Sequence, residues 1–167
     1  MSFWRALGSG LAGACALTLV HEGARRVFAD APRVDLLGMR ALARSYNAVG
    51  APTPAPDELF NRALVGEIVG NALYYSAVGW GARDGAWLRG ALLGLAAGVG
   101  AAALPGPLGL GSDASARTPA TQAMTIAWYT LGGLTAAAAY EFLTDAGISE
   151  NDLELVAKLK GAKARTE

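Results

Sequence analysis

Reactive side chains are scarce in this sequence. Its 167 residues include one cysteine, Cys15, and one histidine, His21. A single cysteine excludes an intramolecular disulfide and a metal site of the Cys-x-x-Cys type. The sequence also has no Gly-x-Ser-x-Gly elbow, no Walker loop and no multi-histidine metal pattern. We therefore predict no catalytic residue, no metal and no cofactor, and we expect a protein that is not an enzyme.

Charge is also scarce. Charged residues make up 17% of the chain, whereas soluble domains contain about a quarter. The 14 basic and 14 acidic residues cancel, and this balance argues against nucleic acid as a partner. Apolar residues reach 53%, and the mean hydropathy is +0.30.

The apolar residues that are present are mostly small. Glycine occurs 22 times, and alanine supplies much of the remaining apolar content. Alanine and glycine bury little surface and would make a poor soluble core, whereas membrane helices use small residues to bring their backbones together. We therefore predict an all-α protein, an integral membrane four-helix bundle with short interfacial amphipathic helices.

Hydrophobic runs predict how the chain is divided. The first apolar run, residues 3–20, is interrupted by Arg5. Its eighteen residues would rise about 27 Å as a helix, close to the ~30 Å hydrocarbon core. A signal peptide is the alternative interpretation of this run, but Pro32 is unfavourable directly after the candidate cleavage site. We predict a membrane domain at 1–147, followed at 148–167 by a short amphipathic helix and a basic tail. Within the membrane domain, an amphipathic connection is predicted at 34–47. The four spans are predicted at about 3–28, 59–80, 86–104 and 119–143.

Aromatic and basic residues bear on the placement of these spans. Trp4, Trp80, Trp87, Tyr140 and Phe142 are expected to form an aromatic belt at one membrane face. Basic residues near the first helix favour a cytoplasmic loop at 29–58, while the basic tail favours the reverse. The alanine, glycine and arginine bias is typical of a bacterial protein, and we expect a multi-pass protein of the inner membrane.

Glu67 is the most informative polar residue, because it lies about 12 Å into the second predicted span. A charge at mid-membrane costs about 2.5 to 3.5 kcal/mol on insertion scales, so such residues usually face the protein interior. Asn71 and Tyr74 share its helix face at the following turns. These three residues form a candidate polar track, which could carry protons, act as the counter-ion of a ligand or lock helix packing.

A charge cluster of His21, Glu22, Arg25 and Arg26 ends the first predicted span. Glu22 and Arg26 have the i, i+4 spacing and the order that favour an ion pair. The cluster is predicted to anchor the helix at the lipid headgroups. Axial coordination of a haem or a chlorophyll by His21 is the alternative.

A glycine stripe runs along the third predicted span. Gly90, Gly94 and Gly98 recur every fourth residue, so they share one helix face and allow a second helix to approach closely. We predict a tight helix-packing seam there, either within the chain or between subunits.

Two functional hypotheses follow. The first is a non-catalytic accessory or scaffold subunit of a larger membrane complex. The alternative is a small oligomeric channel or transporter with an intramembrane carboxylate, Glu67. The expected partners are the lipid bilayer and other membrane subunits or further copies of the chain. The sequence resembles no family of known function beyond a likeness in style to small bacterial inner-membrane proteins.

Overall fold

The computed structural model describes residues 3–146, and every regular element in that range is helical. The prediction of an all-α protein is confirmed. The amphipathic helix and basic tail predicted at 148–167 lie outside the described residues. The six helices are α1 (Phe3–Ala24), α2 (Val34–Ala48), α3 (Pro56–Ser76), α4 (Ala86–Ala103), α5 (Asp113–Ala116) and α6 (Pro119–Asp145).

Four long helices make up most of the structure, and they pack in the spatial order α3, α1, α6, α4. Each helix is antiparallel to the helix it packs against in this order. One end of the molecule, here called the turn end, holds Phe3 and the tight turn at 80–85. The opposite end, here called the loop end, holds the connections at 25–55 and 104–118.

Local chemistry explains where the long helices start. Pro56 and Pro119 occupy the first turns of α3 and α6, where a missing backbone N–H costs nothing. The Thr118 hydroxyl caps α6 by accepting a hydrogen bond from the Thr121 backbone N–H at 3.0 Å.

The helix ends differ from the sequence expectation. Helix α1 stops at Ala24 rather than near residue 28, because the chain turns at 25–31 and buries Pro32 and Val34 at the loop end. Helix α3 stops at Ser76, and a short 3₁₀ turn at Ala77–Gly79 follows it.

The loop end is organised by contacts between α2 and its neighbours. Helix α2 packs on α3, with Gly38 close to the side chain of Ala63. Arg40 pairs with Asp113 and also donates to the Leu110 carbonyl at 2.9 Å. The short helix α5, which carries Asp113, was not expected from the Gly- and Ser-rich sequence around it.

Small and large apolar side chains occupy different places in the structure. Most of the buried apolar residues are alanines, while the exposed surface carries many leucines, valines and tryptophans. Trp4, Trp80, Trp87 and Phe142 of the predicted aromatic belt are exposed, but Tyr140 is buried at 8% exposure. Tyr140 packs inward because Gly79 leaves room for its ring.

Two helical segments, Phe3–Ala24 and Arg83–Ala103, are long and apolar enough to cross a membrane. Core helices of soluble proteins and signal sequences can share this length and composition. Of the apolar window in each segment, 33% and 28% of the residues are buried. Most residues of each window are therefore only partly buried or exposed.

Candidate functional site

Two residues that the sequence placed in separate features lie together in the structure. His21 belongs to the predicted charge cluster and Glu67 to the predicted polar track. The His21 Nδ1 atom lies 4.0 Å from the Glu67 Oε1 atom, and their side chains are only 5% and 16% exposed. The candidate site is therefore an acid–base pair between α1 and α3, buried at His21 and largely buried at Glu67.

Close packing of the helices determines this meeting point. A Cβ on Gly10 of α1 would overlap the backbone of α3 at Ala72 and Ser76, so the two backbones touch near the turn end. From that contact, the antiparallel helices run back to His21 on the last turn of α1 and Glu67 near the middle of α3.

Helix α6 closes the site on its inner side with two aromatic rings. The His21 ring lies 5.3 Å from the Trp128 ring and 5.7 Å from the Tyr129 ring, both in edge-to-face geometry. These contacts position the imidazole, because its ring is held against two bulky neighbours.

Several polar atoms at the site have no hydrogen-bond partner within residues 3–146. They are both ring nitrogens of His21, Oε1 of Glu67 and the hydroxyl oxygen of nearby Thr18. A buried polar atom that forms no hydrogen bond loses its hydration and costs about 1 to 3 kcal/mol. Such a concentration of unsatisfied atoms is unusual in a native interior.

A small pocket adjoins these atoms. Its enclosed volume is about 10 Å³, roughly the minimum that one water molecule needs. It extends from His21 and Glu67 toward the loop end. Its lining combines polar and apolar side chains from α1, the following loop, α2 and α3, namely Thr18, His21, Glu22, Arg25, Pro32, Val34, Asp35, Phe60, Ala63, Leu64 and Glu67.

An ion-pair network forms the loop-end wall of this pocket. Arg25 contacts Glu22 at 2.7 Å and Asp35 at 3.1 Å, and Arg33 contacts Asp35 at 2.8 Å. The sequence spacing predicted an ion pair between Glu22 and Arg26 at i+4. In the structure Glu22 pairs instead with Arg25 at i+3. Arg26 is exposed.

Asp35 is a site residue that the sequence reasoning missed. Burial alone would raise the pKa of its carboxyl, but hydrogen bonds from Arg33 and the positive charges of Arg33 and Arg25 hold the pKa below its usual value. The sequence did offer a signal for this residue, because Asp35 lies in the first turn of α2 and follows Arg33 by two positions. Its contact with α1 depends on how the chain turns at 25–31.

The remaining residues of the predicted polar track do not continue the site. Asn71 is half-buried one turn beyond Glu67, and Tyr74 is 38% exposed. The Tyr74 hydroxyl donates to the Leu93 carbonyl of α4 at 2.9 Å. The neighbouring Tyr75 is fully buried instead, and its hydroxyl donates to the Tyr129 carbonyl at 2.7 Å.

The glycine stripe packs inside the chain. A Cβ on Gly94 would lie 2.6 Å from the Tyr129 carbonyl oxygen, and a Cβ on Gly98 would lie 2.7 Å from the Ile126 Cα. Gly90 meets Gly133 with a similarly close backbone contact. The stripe therefore seats α4 against α6.

The site leaves little room for a large cofactor, and the described residues around it offer no metal-ligand set. A volume of about 10 Å³ cannot admit a tetrapyrrole, and the His21 ring already contacts two aromatic rings. Within residues 3–146, no group of three or more His, Cys, Asp or Glu side chains could hold a metal ion. Haem or chlorophyll coordination by His21 thus lacks geometric support.

Comparison with protein-family models, with curated proteins and with solved structures finds no match to this chain. The support for a function of this chain therefore comes from its own geometry. That geometry consists of a buried acid–base pair, a pocket of about one water volume and a largely apolar outer surface.

Proposed function

We propose that this chain is a non-catalytic integral membrane protein with four spans, α1, α3, α4 and α6, that serves as an accessory or scaffold subunit. The observation that carries the proposal is the placement of apolar side chains. Alanine and glycine fill the interior, while large apolar residues face outward from all four long helices. Water would penalise such an arrangement, whereas a hydrocarbon environment accepts it.

The distribution of charge supports the same proposal. Among residues 3–146, every charged side chain except Glu67 lies in the loop-end or turn-end segments or within about two turns of them. Glu67, the exception, faces His21 in the interior. A band free of outward charge between two polar ends is what a bilayer requires.

Helices α3 and α6 are less apolar than α1 and α4, and their polar residues have identifiable roles. Asp57, Glu58 and Arg62 lie near the loop-end start of α3. Threonine hydroxyls of α6, such as those of Thr130 and Thr135, donate to carbonyls four residues earlier in the same helix. These hydroxyls are satisfied within the helix, so lipid exposure costs them little.

An outward face of α3 supports association with another subunit. A Cβ on Gly66 or Gly70 would meet no atom within 4 Å. Both glycines lie beside exposed Val65 and Val69. This face combines small and β-branched residues at the spacing that suits close packing of membrane helices. The composition of the chain is the support for a bacterial inner membrane.

Aqueous thiol labelling tests the membrane proposal. In a Cys15→Ser background, we introduce Ala48→Cys at the loop end, Asp84→Cys at the turn end or Leu92→Cys on the outer surface of α4. We expect the first two to react with an impermeant maleimide from opposite sides of sealed vesicles, while Leu92→Cys resists it. Leu92 is 55% exposed, so rapid labelling there would show a water-facing surface and overturn the proposal.

Photo-crosslinking tests the subunit proposal. A photoreactive amino acid at Val69 should give a protein adduct of discrete mass, and Gly70→Leu should abolish it by blocking close approach. Gly23→Leu is the matched control, since Gly23 is also a helical glycine at which an added Cβ would meet no atom within 4 Å. Lipid adducts alone at Val69 would count against a scaffold role.

The channel alternative has less support. Beyond His21 and Glu67 toward the turn end, the interior is filled by the fully buried Tyr75 ring. Gly13 and Gly132 also bring α1 and α6 into backbone contact there. A conducting path through one copy would require these groups to separate.

A further inference from the structure

We propose that His21 and Glu67 together bind one exchangeable proton, which they take up from the loop end of the molecule. The site itself needs no accessory or scaffold role, while its uptake from one side rests on the proposed membrane insertion. It adds a ligand-binding site, with the proton as the ligand, to a protein whose proposed role is structural.

The separation of the two side chains suits a shared proton. The 4.0 Å between His21 Nδ1 and Glu67 Oε1 exceeds a direct hydrogen bond, which rarely exceeds about 3.2 Å. A polar contact across such a distance calls for a bridging water. The adjoining volume of about 10 Å³ is about one water in size, and Thr18 supplies a third polar atom beside it. Three polar partners are what a buried water usually has.

The charge of the pair explains why one proton is the favoured occupancy. With one proton, the pair is either neutral histidine beside protonated glutamic acid or an imidazolium beside a carboxylate. Its net charge is zero in both forms. Removing that proton leaves a buried carboxylate, and adding a second leaves a buried imidazolium, each of which is expensive in a low-dielectric interior. The proton therefore belongs to the pair and not to either residue.

Other ligands fit the site poorly. Calcium takes six to eight oxygen ligands, while the unpartnered atoms here are one carboxylate oxygen, one hydroxyl oxygen and the imidazole nitrogens. The Glu22 and Asp35 carboxylates of the lining already pair with Arg25. A space of about one water is too small for an organic ligand, and the Glu67 carboxylate beside it disfavours an anion. A proton is the ligand for which both the volume and the chemistry are sufficient.

The loop end offers the route for exchange. Glu22, Arg25 and Asp35 line the pocket between the buried pair and the surface, and Arg25 is 29% exposed. On the α6 side, the titratable group facing His21 is Tyr129, which packs against the ring. A proton released by the pair passes to water at the Arg25–Asp35 wall, because Tyr75 closes the interior toward the turn end.

Nuclear magnetic resonance tests the shared proton directly, because His21 is the sole histidine of the chain. Protein labelled with ¹⁵N-histidine, purified through a histidine-free tag and reconstituted in vesicles, gives one pair of imidazole signals to follow against pH. We expect Glu67→Gln to weaken proton binding at His21 by at least tenfold. The matched control Glu58→Gln, an exposed acid on the same helix, should leave the titration unchanged. Equal titration curves for the wild type and Glu67→Gln would overturn the proposal.

A second measurement needs no substitution at the pair. Phe replacements at Trp4, Trp80 and Trp87 leave Trp128 as the reporter, and protonation of the adjacent His21 ring should quench its fluorescence. In sealed vesicles of one orientation, a pH step on the loop-end side should change this fluorescence before a step on the turn-end side does. No response to either step, or a faster response from the turn end, would overturn the proposed site or its route.

Discussion

The α4–α6 contact and the α1–α3 contact are similar near the turn end and differ toward the loop end. Near the turn end, both are backbone contacts made by small residues, Gly90 with Gly133 and Gly10 with Ala72. The α4–α6 contact stays close as far as Gly98 and Ile126. The α1–α3 contact instead reaches the facing side chains of His21 and Glu67 and a small pocket.

This difference shows how side-chain size decides between a dry seam and a site. Glycine on one helix lets the opposite backbone fill the space, so no room is left for water. Two long polar side chains keep the helices apart and leave unfilled volume beside them. The molecule thus has one half in which the helix backbones stay in contact and one half with a small pocket.

The largest expected effect comes from filling the dry seam. A Cβ on Gly133 would overlap the Gly90 carbonyl oxygen, so Gly133→Ala should lower the free energy of unfolding by about 3 kcal/mol. Gly23→Ala is the matched control, because a Cβ there meets no atom within 4 Å and alanine favours helix by about 0.5 to 1 kcal/mol. Thermal unfolding in detergent measures both. Equal effects would mean that the two helices do not meet at Gly133.

A smaller effect is expected at the wall of the pocket. Asp35→Asn should cost about 1 kcal/mol at pH 7, allowing for solvent screening of its ion pairs. Because the folded-state pKa of Asp35 is lowered, this stabilisation is present above pH 3.8, the ordinary value, and is lost as the pH falls through the lower folded-state pKa.

Unfolding measured from pH 7 down to about pH 2 should therefore show a constant gap above pH 3.8 and a narrowing gap between the wild type and Asp35→Asn below it. Asp84→Asn, at an exposed position in the turn, is the control and should track the wild type throughout. A difference in unfolding free energy between the wild type and Asp35→Asn that stays constant with pH would show that the ion pairs of Asp35 do not cause the stabilisation.

The first turn of α6 should affect the stability of both contacts, since α6 packs against α4 and α1. Thr118→Ala removes the hydroxyl that caps the helix and should cost about 1 kcal/mol. Thr118→Ser keeps an acceptor and should retain most of the stability. Thermal unfolding of the two variants distinguishes a capping role from a packing role, in which serine and alanine would behave alike.

The smallest effect is expected where neither packing nor burial is involved. Glu58 pairs with Arg62 on the exposed side of α3, and exposed pairs of this kind contribute little. Glu58→Gln should leave the melting temperature within error of the wild type. A clear loss would mean that the loop end is covered by a partner.

The long apolar runs and the spacing of small residues predicted much of the architecture. The all-helical class follows from the long apolar runs, and the Gly90, Gly94 and Gly98 stripe marks a face that the structure packs on α6. The contact between His21 and Glu67 had no such local signal, because they are 46 positions apart and on different helices. Tyr75 was given no role of its own, because nothing in the α3 sequence shows that its hydroxyl bonds to the Tyr129 carbonyl of α6.

The sequence by itself determined that the chain is helical, that its interior is built from small residues and that Glu67 is costly to leave exposed among apolar neighbours. These properties depend on composition and on spacing along one helix. Only the tertiary structure decided that the partner of Glu67 is His21, that Asp35 and Arg25 line the approach and that the glycine stripe lies within the chain. Such choices depend on which helices pack side by side and where their small residues allow contact, and they involve residues too distant in sequence for any local pattern to reveal.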